Sequence, residues 1–318
     1  MAIVRSFYPY QPSQAAAAVV CALFSIGFLL SFYQTIRHKA WIWCVMVLAI
    51  GMEAVGYGAR TASAGDVTAR TVYIVQFCLI ILAPVLMAGI IYVVFGRIVF
   101  LVVPPQARTT RLLWIPPRWL TPIFVGFDIF ALFLQLVGAV IVSSTQVTDT
   151  DAVSKLNRGK DIAMAGVTLQ IIAFGFFSII AARFHFTSTR FIDDMKRRVQ
   201  AVPGDKFMSL EGSTRKFRAD WRRLLYAVNI SCIMVLIRSA YREADFEAGK
   251  TGNTQLHEYF PYVLDALPML VVVILLTVFT PGAYVSMGFR QPKDQPRNNT
   301  SGSDGDAFVM GSRVEAAH

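Results

Sequence analysis

Long runs without charge alternate with short polar segments along the 318-residue chain. No Asp, Glu, Lys or Arg occurs within residues 6–36, 71–96 or 162–182. Each of these runs reaches the roughly 20 apolar residues with which a helix crosses a bilayer. The pattern therefore predicts a polytopic membrane protein.

The apolar runs predict seven spanning helices, at residues 14–36, 40–59, 71–97, 119–144, 162–183, 222–246 and 259–284, with Pro104 as an alternative end for the third. The predicted fold is thus all-α, a seven-transmembrane-helix bundle over residues 14–289. A short segment, 1–13, precedes it. The loop 184–220 is long, basic and amphiphilic, and we expect it to lie along the membrane surface. The polar tail, 290–318, is rich in Gly, Ser, Asp and Asn, and we expect it to be disordered.

Lysine and arginine placement predicts the direction of the bundle, because cytosolic loops carry their excess. With the N-terminus outside and the C-terminus in the cytosol, 21 of the 30 Lys and Arg fall in cytosolic segments. All five tryptophans then lie at cytosolic helix ends, as in an interfacial belt. The net charge of +10 faces the anionic cytosolic leaflet, so it does not indicate nucleic-acid binding.

Ionisable residues inside a membrane are costly and indicate either pairing or a pathway. Helix rise places Glu53 about 20 Å along the second helix from its cytosolic end, in the outer half. The same count places Arg238 and Asp265 in the outer half of helices six and seven. Asp128 lies deeper, nearer the midplane or in the inner half. The charges of helices two, six and seven are therefore predicted to meet.

Glu53, Tyr57 and Arg60 are spaced i, i+4, i+7, which puts them on one helix face. Gly56 beside them has no side chain to keep a neighbouring helix away. Two interpretations stay open and are compatible. The cluster is a structural ion network that locks three helices together, or it is a polar pocket for a lipid head group whose acyl chains lie between helices.

Several stretches resemble the fungal RTA-like, lipid-translocating exporter family. They are "PYQPS", "EAVGYGAR", "QFCLIILAPVLMAGIIYVVFGR", "FVGFDIFALFLQLVGA", "AGVTLQIIAFGFF" and "IRSAYREADFEAGKTG…HEYFPYVLDALPM". The resemblance covers residues 8–281. It implies seven transmembrane helices and a role in moving or resisting lipids such as sphingoid bases, sterol-like molecules or other amphiphiles. In some members it implies porphyrin handling.

The resemblance and the intramembrane charges together give a set of candidate substrate-binding residues. They are Glu53, Tyr57, Arg60, Gln76, Asp128, Gln135, Gln170, Arg238, Arg242, Asp245, Glu258 and Asp265. Asp245 stands where the family usually has Glu, and Ala139 replaces one of the paired glycines that usually follow Gln135. Neither change removes a charge.

The predicted function is lipid export or lipid resistance at a membrane, with the plasma membrane expected and an endomembrane as the alternative. The chain has no G-x-x-x-x-G-K-[ST] motif for ATP hydrolysis. A proton route through Glu53, Asp128 and Asp265 is one hypothesis for its energy source. The oligomeric state is not predicted.

A seven-helix receptor or sensor of lipid or stress signals is the alternative function. Against it, no D-R-Y follows helix three and no N-P-x-x-Y occurs in helix seven. An enzyme is not expected, and neither is a metal or a cofactor. The histidines are His38, His185, His257 and His318, and only His257 lies near the predicted charge cluster.

Overall fold

The computed structural model contains seven long helices that form one bundle. The residues it describes are 13–65, 70–103, 114–145, 152–191, 199–200, 207–210, 216–218, 221–248 and 259–284. The helices are α1 Gln14–His38, α2 Cys44–Gly65, α3 Arg70–Val102, α4 Pro117–Ser144, α5 Ala152–Thr187, α6 Trp221–Ala248 and α7 Leu267–Val278. All seven, α7 counted with the turns at its two ends, are long and apolar enough to cross a membrane. The predicted seven-transmembrane, all-α bundle is confirmed.

Two helices are longer than the apolar pattern predicted. α5 begins at Ala152 rather than at residue 162, and α2 ends at Gly65 rather than at residue 59. α3 continues to Val102, which lies within the longer of its two predicted bounds. The first turns of α5 are polar and exposed, with Lys155 and Arg158 among them. A hydropathy pattern registers only the apolar length, whereas helical hydrogen bonding continues past the membrane boundary wherever the residues favour it.

Short turns extend three of the helices. A 3-10 turn, Trp41–Trp43, precedes α2, and another, Ser188–Phe191, follows α5. A π-helical turn, Pro261–Ala266, precedes α7. One further short helix, α8 Pro281–Tyr284, follows α7. These turns matter because the π-helical one carries a charged residue of the candidate site.

Consecutive helices pack as antiparallel neighbours, and α3 lies at the centre of the bundle. α3 contacts α2, α4 and α6, while α1 packs on α2 and α7. Large apolar side chains on α1 and α4 face outward, for example Leu29, Phe130 and Phe133. Exposed apolar side chains are what a lipid-facing surface requires. The protein is therefore an integral, multi-pass membrane protein.

The bundle has two distinguishable ends. The N-terminal end holds Gln14, Gly65 and Ala248, and the tryptophan end holds Trp41 and Trp119, which are both largely exposed. Trp43, Trp114 and Trp221 also lie at the tryptophan end. This grouping agrees with the tryptophan pattern read from the sequence. Which end faces the cytosol stays a prediction.

Part of the 184–220 loop forms a small antiparallel sheet. Its strands are β1 Val199–Gln200, β2 Phe207–Leu210 and β3 Lys216–Arg218, in the order β1-β2-β3. Val199 pairs with Leu210 and Phe207 with Arg218. β3 contacts α8, so the sheet lies at the tryptophan end. Strands of two to four residues are too short to show a periodic pattern, so the sequence did not predict them.

Candidate functional site

Asp265 lies in the π-helical turn that precedes α7. The N–H of Leu267 bonds to the carbonyl of Tyr262, five residues earlier, instead of to the residue four earlier. Pro268 follows directly and has no N–H to continue a regular helix. Single π turns of this kind are frequent at functional sites of membrane and soluble proteins. The turn sets the direction in which Asp265 enters the bundle.

Asp265 forms ion pairs with two arginines of α6. Its Oδ1 lies 2.6 Å from Nε of Arg238, at an angle unsuited to a hydrogen bond. Nε of Arg242 donates to the same oxygen at 3.2 Å, and Nη2 of Arg242 donates to Oδ2. Asp265 is 3% exposed and Arg238 is 6% exposed. Burial of both partners strengthens the attraction and makes the loss of either one costly.

A proline in α3 supplies a further partner for Arg238. Pro84 has no N–H, so the carbonyl of Ile80, four residues earlier, lacks its helical hydrogen bond. Nη2 of Arg238 donates to that carbonyl at 2.7 Å. The guanidinium thereby satisfies an acceptor that the helix itself leaves open. Arg238 therefore connects α3, α6 and α7.

Glu53 reaches the same place from α2, because Gly56 lets α2 approach α3 closely. A Cβ at Gly56 would lie 2.8 Å from Cγ1 of Ile80. Glu53 is 1% exposed and interacts electrostatically with Arg238, Asp265 and Arg242. Within the part of the chain that the structure describes, no donor bonds to Oε1 of Glu53. This oxygen is a buried acceptor near two guanidinium groups whose hydrogen bonds go to the carbonyl of Ile80 and to Asp265.

Two aromatic side chains complete the site on the side of α2. Nε of Arg60 donates to the hydroxyl of Tyr262 at 3.2 Å, and its guanidinium lies 5.1 Å from the centre of that ring. The ring of Tyr57 lies 6.5 Å from that of Tyr262 and stacks on Phe24 of α1 at 5.7 Å. We call Glu53, Tyr57, Arg60, Arg238, Arg242, Tyr262 and Asp265 the ion cluster. The predicted meeting of the charges of helices two, six and seven is present.

Asp128 lies apart from the ion cluster. Its Oδ2 accepts a hydrogen bond of 2.9 Å from the hydroxyl of Tyr92, whose ring packs against Phe124, Phe174 and Phe177. Along α3, Tyr92 stands about 18 Å beyond Ile80 at about 1.5 Å per residue. Asp128 is therefore deeper in the bundle than Glu53, as its position on helix four predicted.

Gln135 and Gln170 bond to each other between α4 and α5, at 3.1 Å. Around them the two helices touch through small residues. A Cβ at Gly138 would lie 2.5 Å from the carbonyl oxygen of Gly159, and one at Gly166 would lie 2.7 Å from that of Ala131. Small residues and an amide pair are typical of tight helix packing in membranes. These two glutamines hold α4 to α5 and are not in the ion cluster.

Of the three remaining candidates, the structure describes two. Gln76 is buried on α3, one turn before Ile80. Asp245 is partly buried on α6, seven residues after Arg238 and so on the same helix face. Glu258 lies outside the described residues. Within those residues no group of three or more His, Cys, Asp and Glu side chains could hold a metal ion.

Sequence reasoning left two members of the site out. One is Tyr262, which matched the family pattern but was not among the candidates. The other is the carbonyl of Ile80, which as a backbone atom has no residue type to flag it. The signal for the carbonyl was Pro84, because an internal proline always frees the acceptor four residues before it.

The chain is similar to named fungal proteins. It is 35% identical to protoporphyrin uptake protein 1 of Saccharomyces cerevisiae over 227 residues, which is 71% of this chain and 64% of that protein. It is 26% identical to the probable lipid transporter atnI of Emericella nidulans, over 87% of this chain and 68% of that protein. It is 24% identical to the sphingoid long-chain base transporter RSB1 of S. cerevisiae, over 80% of this chain and 69% of that protein.

No solved structure matches the chain. The sequence pattern of the family described as "RTA1 like protein" matches residues 46–287. That range contains α3 to α7 and nearly all of α2, and with them every described residue of the ion cluster. The resemblance predicted from the quoted stretches is confirmed, and the chain belongs to the RTA1-like family.

Proposed function

We propose that the protein moves an amphiphilic lipid across or out of the membrane and recognises its head group at the ion cluster. The expected ligands are sphingoid bases or related amphiphiles, and the acyl chain would lie between helices. On the predicted topology the cluster is in the outer half of the membrane. The plasma membrane is the expected location.

One observation carries this proposal: Glu53 is buried, faces the meeting point of four helices and has an oxygen without a donor. A carboxylate with an open acceptor suits an ammonium or hydroxyl donor on a ligand. The ring of Tyr262 already lies against the Arg60 guanidinium, and such ring faces attract ligand cations. Two relatives with names that refer to lipid or sphingoid-base transport support the same class of ligand.

The test is cellular. The full chain is expressed in a fungal strain that lacks its own exporters, and tolerance to a sphingoid base and release of a labelled base are measured. Wild-type protein should raise both. Glu53→Gln should lose the effect while still reaching the membrane. Gly58→Ala is the matched control on α2, because a Cβ there would meet only Sγ of Cys21, at an ordinary 3.6 Å.

Two outcomes would count against the proposal. Unchanged release by wild-type protein together with altered signalling would favour the sensor function instead. Full release by Glu53→Gln would show that the head group is recognised elsewhere, and the Tyr92–Asp128 pair would then be the next place to test.

A further inference from the structure

The hydrogen bonds that the structure shows for the arginines of the ion cluster go to acceptors other than Glu53. Arg238 faces Asp265 and the carbonyl of Ile80, and Arg242 faces both oxygens of Asp265. Nε of Arg60 donates to Tyr262. Asp265 therefore takes both α6 arginines, although Glu53 also has a carboxyl group and lies beside them.

An ionised carboxylate buried without hydrogen-bond donors is strongly unfavourable, and such a group instead holds a proton. The ionisable groups that interact with Glu53 come from three elements. They are Tyr57 on α2, Arg238 and Arg242 on α6, and Asp265 in the turn before α7. Elsewhere in the cluster Arg60 bonds to Tyr262, and on α3 the neutral Gln76 is buried. The arginines favour the ionised form, but their hydrogen bonds go to other acceptors. Glu53 is the member of the cluster whose charge is not fixed by a bonded partner.

An ammonium head group would change this balance. It would bring a positive charge to the open oxygen of Glu53, and the proton would no longer be needed there. Loss of one proton and gain of one monovalent cation leave the net charge of the site unchanged. The exchange therefore adds no uncompensated charge to a buried site, whatever the charges of the remaining members.

We propose that Glu53 exchanges its proton for the cationic head group of the amphiphile, so that the protein is a proton antiporter for cationic lipids. In balanced form, the Glu53 carboxylic acid and the ligand ammonium give the carboxylate–ammonium pair and one proton released to water. The ligand is released again when Glu53 takes a proton back, which is favoured on the more acidic side of the membrane. This inference rests on the proposed function and adds its energy source.

Of the three acids in the proton-route hypothesis, the structure favours Glu53 as the site of exchange. Asp265 is bound by two arginines and is therefore held as a carboxylate. Asp128, on α4, accepts a hydrogen bond from Tyr92, which lies about 18 Å along α3 from Ile80.

The experiment measures protons released on binding by the full chain in lipid nanodiscs. The probe is a sphingoid base whose nitrogen carries three methyl groups. It is a permanent cation with no acidic N–H, so the probe itself releases no proton. Binding is followed by calorimetry in buffers with different ionisation enthalpies and over a range of pH. One proton released per ligand makes the affinity rise about tenfold per pH unit, as long as Glu53 starts protonated.

Variants assign the proton to Glu53. Glu53→Gln should abolish the release and the pH dependence. Glu53→Asp keeps a carboxyl group and should keep the release. Asp161→Asn, an acid-to-amide change at an exposed position of α5, should behave as wild type. If Glu53→Gln does not fold, infrared difference spectra of wild type and Glu53→Asp replace it. The carbonyl band of a protonated acid should then disappear on binding, at a position that differs between the two proteins.

The outcomes separate the two proposals. Binding without proton release in wild type overturns the exchange and leaves the head-group site standing. If wild type binds neither the probe nor the unmethylated base, which keeps its N–H donors, both proposals are overturned. If only the unmethylated base binds, the protons released are counted with that base, at a pH at which its amine stays protonated. Proton release by Glu53→Gln equal to that of wild type overturns the assignment to Glu53.

Discussion

Asp265 should contribute more to the stability of the bundle than any other single carboxylate described. It is 3% exposed, and it holds Arg238 at 2.6 Å and Arg242 through both of its oxygens. Asp265→Asn preserves the shape of the side chain but removes its charge and can turn an NH₂ group toward a guanidinium. Removing one partner of a buried ion pair costs about 3–5 kcal/mol, because a buried charge is left uncompensated. We expect a decrease of that size in the free energy of unfolding.

The assay is unfolding by titration with SDS in mixed micelles, followed by circular dichroism. Asp128→Asn is the matched control, since it also converts a buried aspartate to its amide. Asp128 accepts one hydrogen bond, from the neutral Tyr92, and the amide oxygen of Asn can accept it too. Because this hydrogen bond can be kept, we expect the loss of stability to stay below about 1 kcal/mol, the net worth of a typical hydrogen bond.

The comparison between the two variants is the refuting test. Equal losses for Asp265→Asn and Asp128→Asn would mean that charge pairing at α6 and α7 adds nothing beyond a hydrogen bond. The ion cluster could not then be what holds these helices together.

Three further comparisons use the same assay. Gly56→Ala should cost about 1–3 kcal/mol relative to Gly58→Ala, because its Cβ would meet α3 at 2.8 Å, and equal stability would contradict this. Gly166→Ala should lose stability relative to Gly175→Ala in the same helix, because the new Cβ at 166 would lie 2.7 Å from a backbone oxygen of α4 while 175 has open space. Pro84→Ala should raise the free energy of unfolding, since proline costs about 3 kcal/mol in a helix interior. The new N–H at residue 84 would compete with Arg238 for the carbonyl of Ile80, so the release of a labelled sphingoid base should fall. Unchanged release would argue against a role for that acceptor.

The sequence predicted the ion cluster because depth along a helix can be read from residue counts. Helix rise is constant, so Glu53, Arg238 and Asp265 could be assigned to one level of the membrane without knowing which helices touch. In the structure the three residues are buried and interact with one another, as residues at one level of the bundle should. The same count correctly set Asp128 apart.

The sequence could not predict which helices are neighbours. Lipid tails are as apolar as leucine, so hydropathy does not distinguish a helix face that meets lipid from one that meets another helix. Gln135 and Gln170 were therefore grouped with the charges, although they bond to each other between α4 and α5. The small residues Gly138 and Gly166 marked that contact, but only the structure shows which helices they bring together.

The sequence also could not predict the features of the site that depend on the backbone. Arg238 donates to the carbonyl of Ile80, and the π-helical turn directs Asp265 into the bundle. Neither feature has a residue type of its own, although Pro84 and Pro268 are its indirect signals. The direction of the bundle in the membrane, with the N-terminus outside, stays a prediction from charge.

α7 is held differently at its two ends, and the difference bears on how a ligand could act. At the tryptophan end, neutral groups bond it to α1: Ser31 and Thr277 share a hydrogen bond of 3.1 Å, and Gln34 donates to the carbonyl of Thr277 at 3.0 Å. Such bonds do not depend on the charge of any side chain. At the other end the chain enters α7 through a π-helical turn, and Asp265 and its arginines hold it there. A head group that binds Glu53 would replace a proton with a bulky cation beside those arginines. It would therefore act on the end of α7 that the ion pairs hold and where the helix is already irregular.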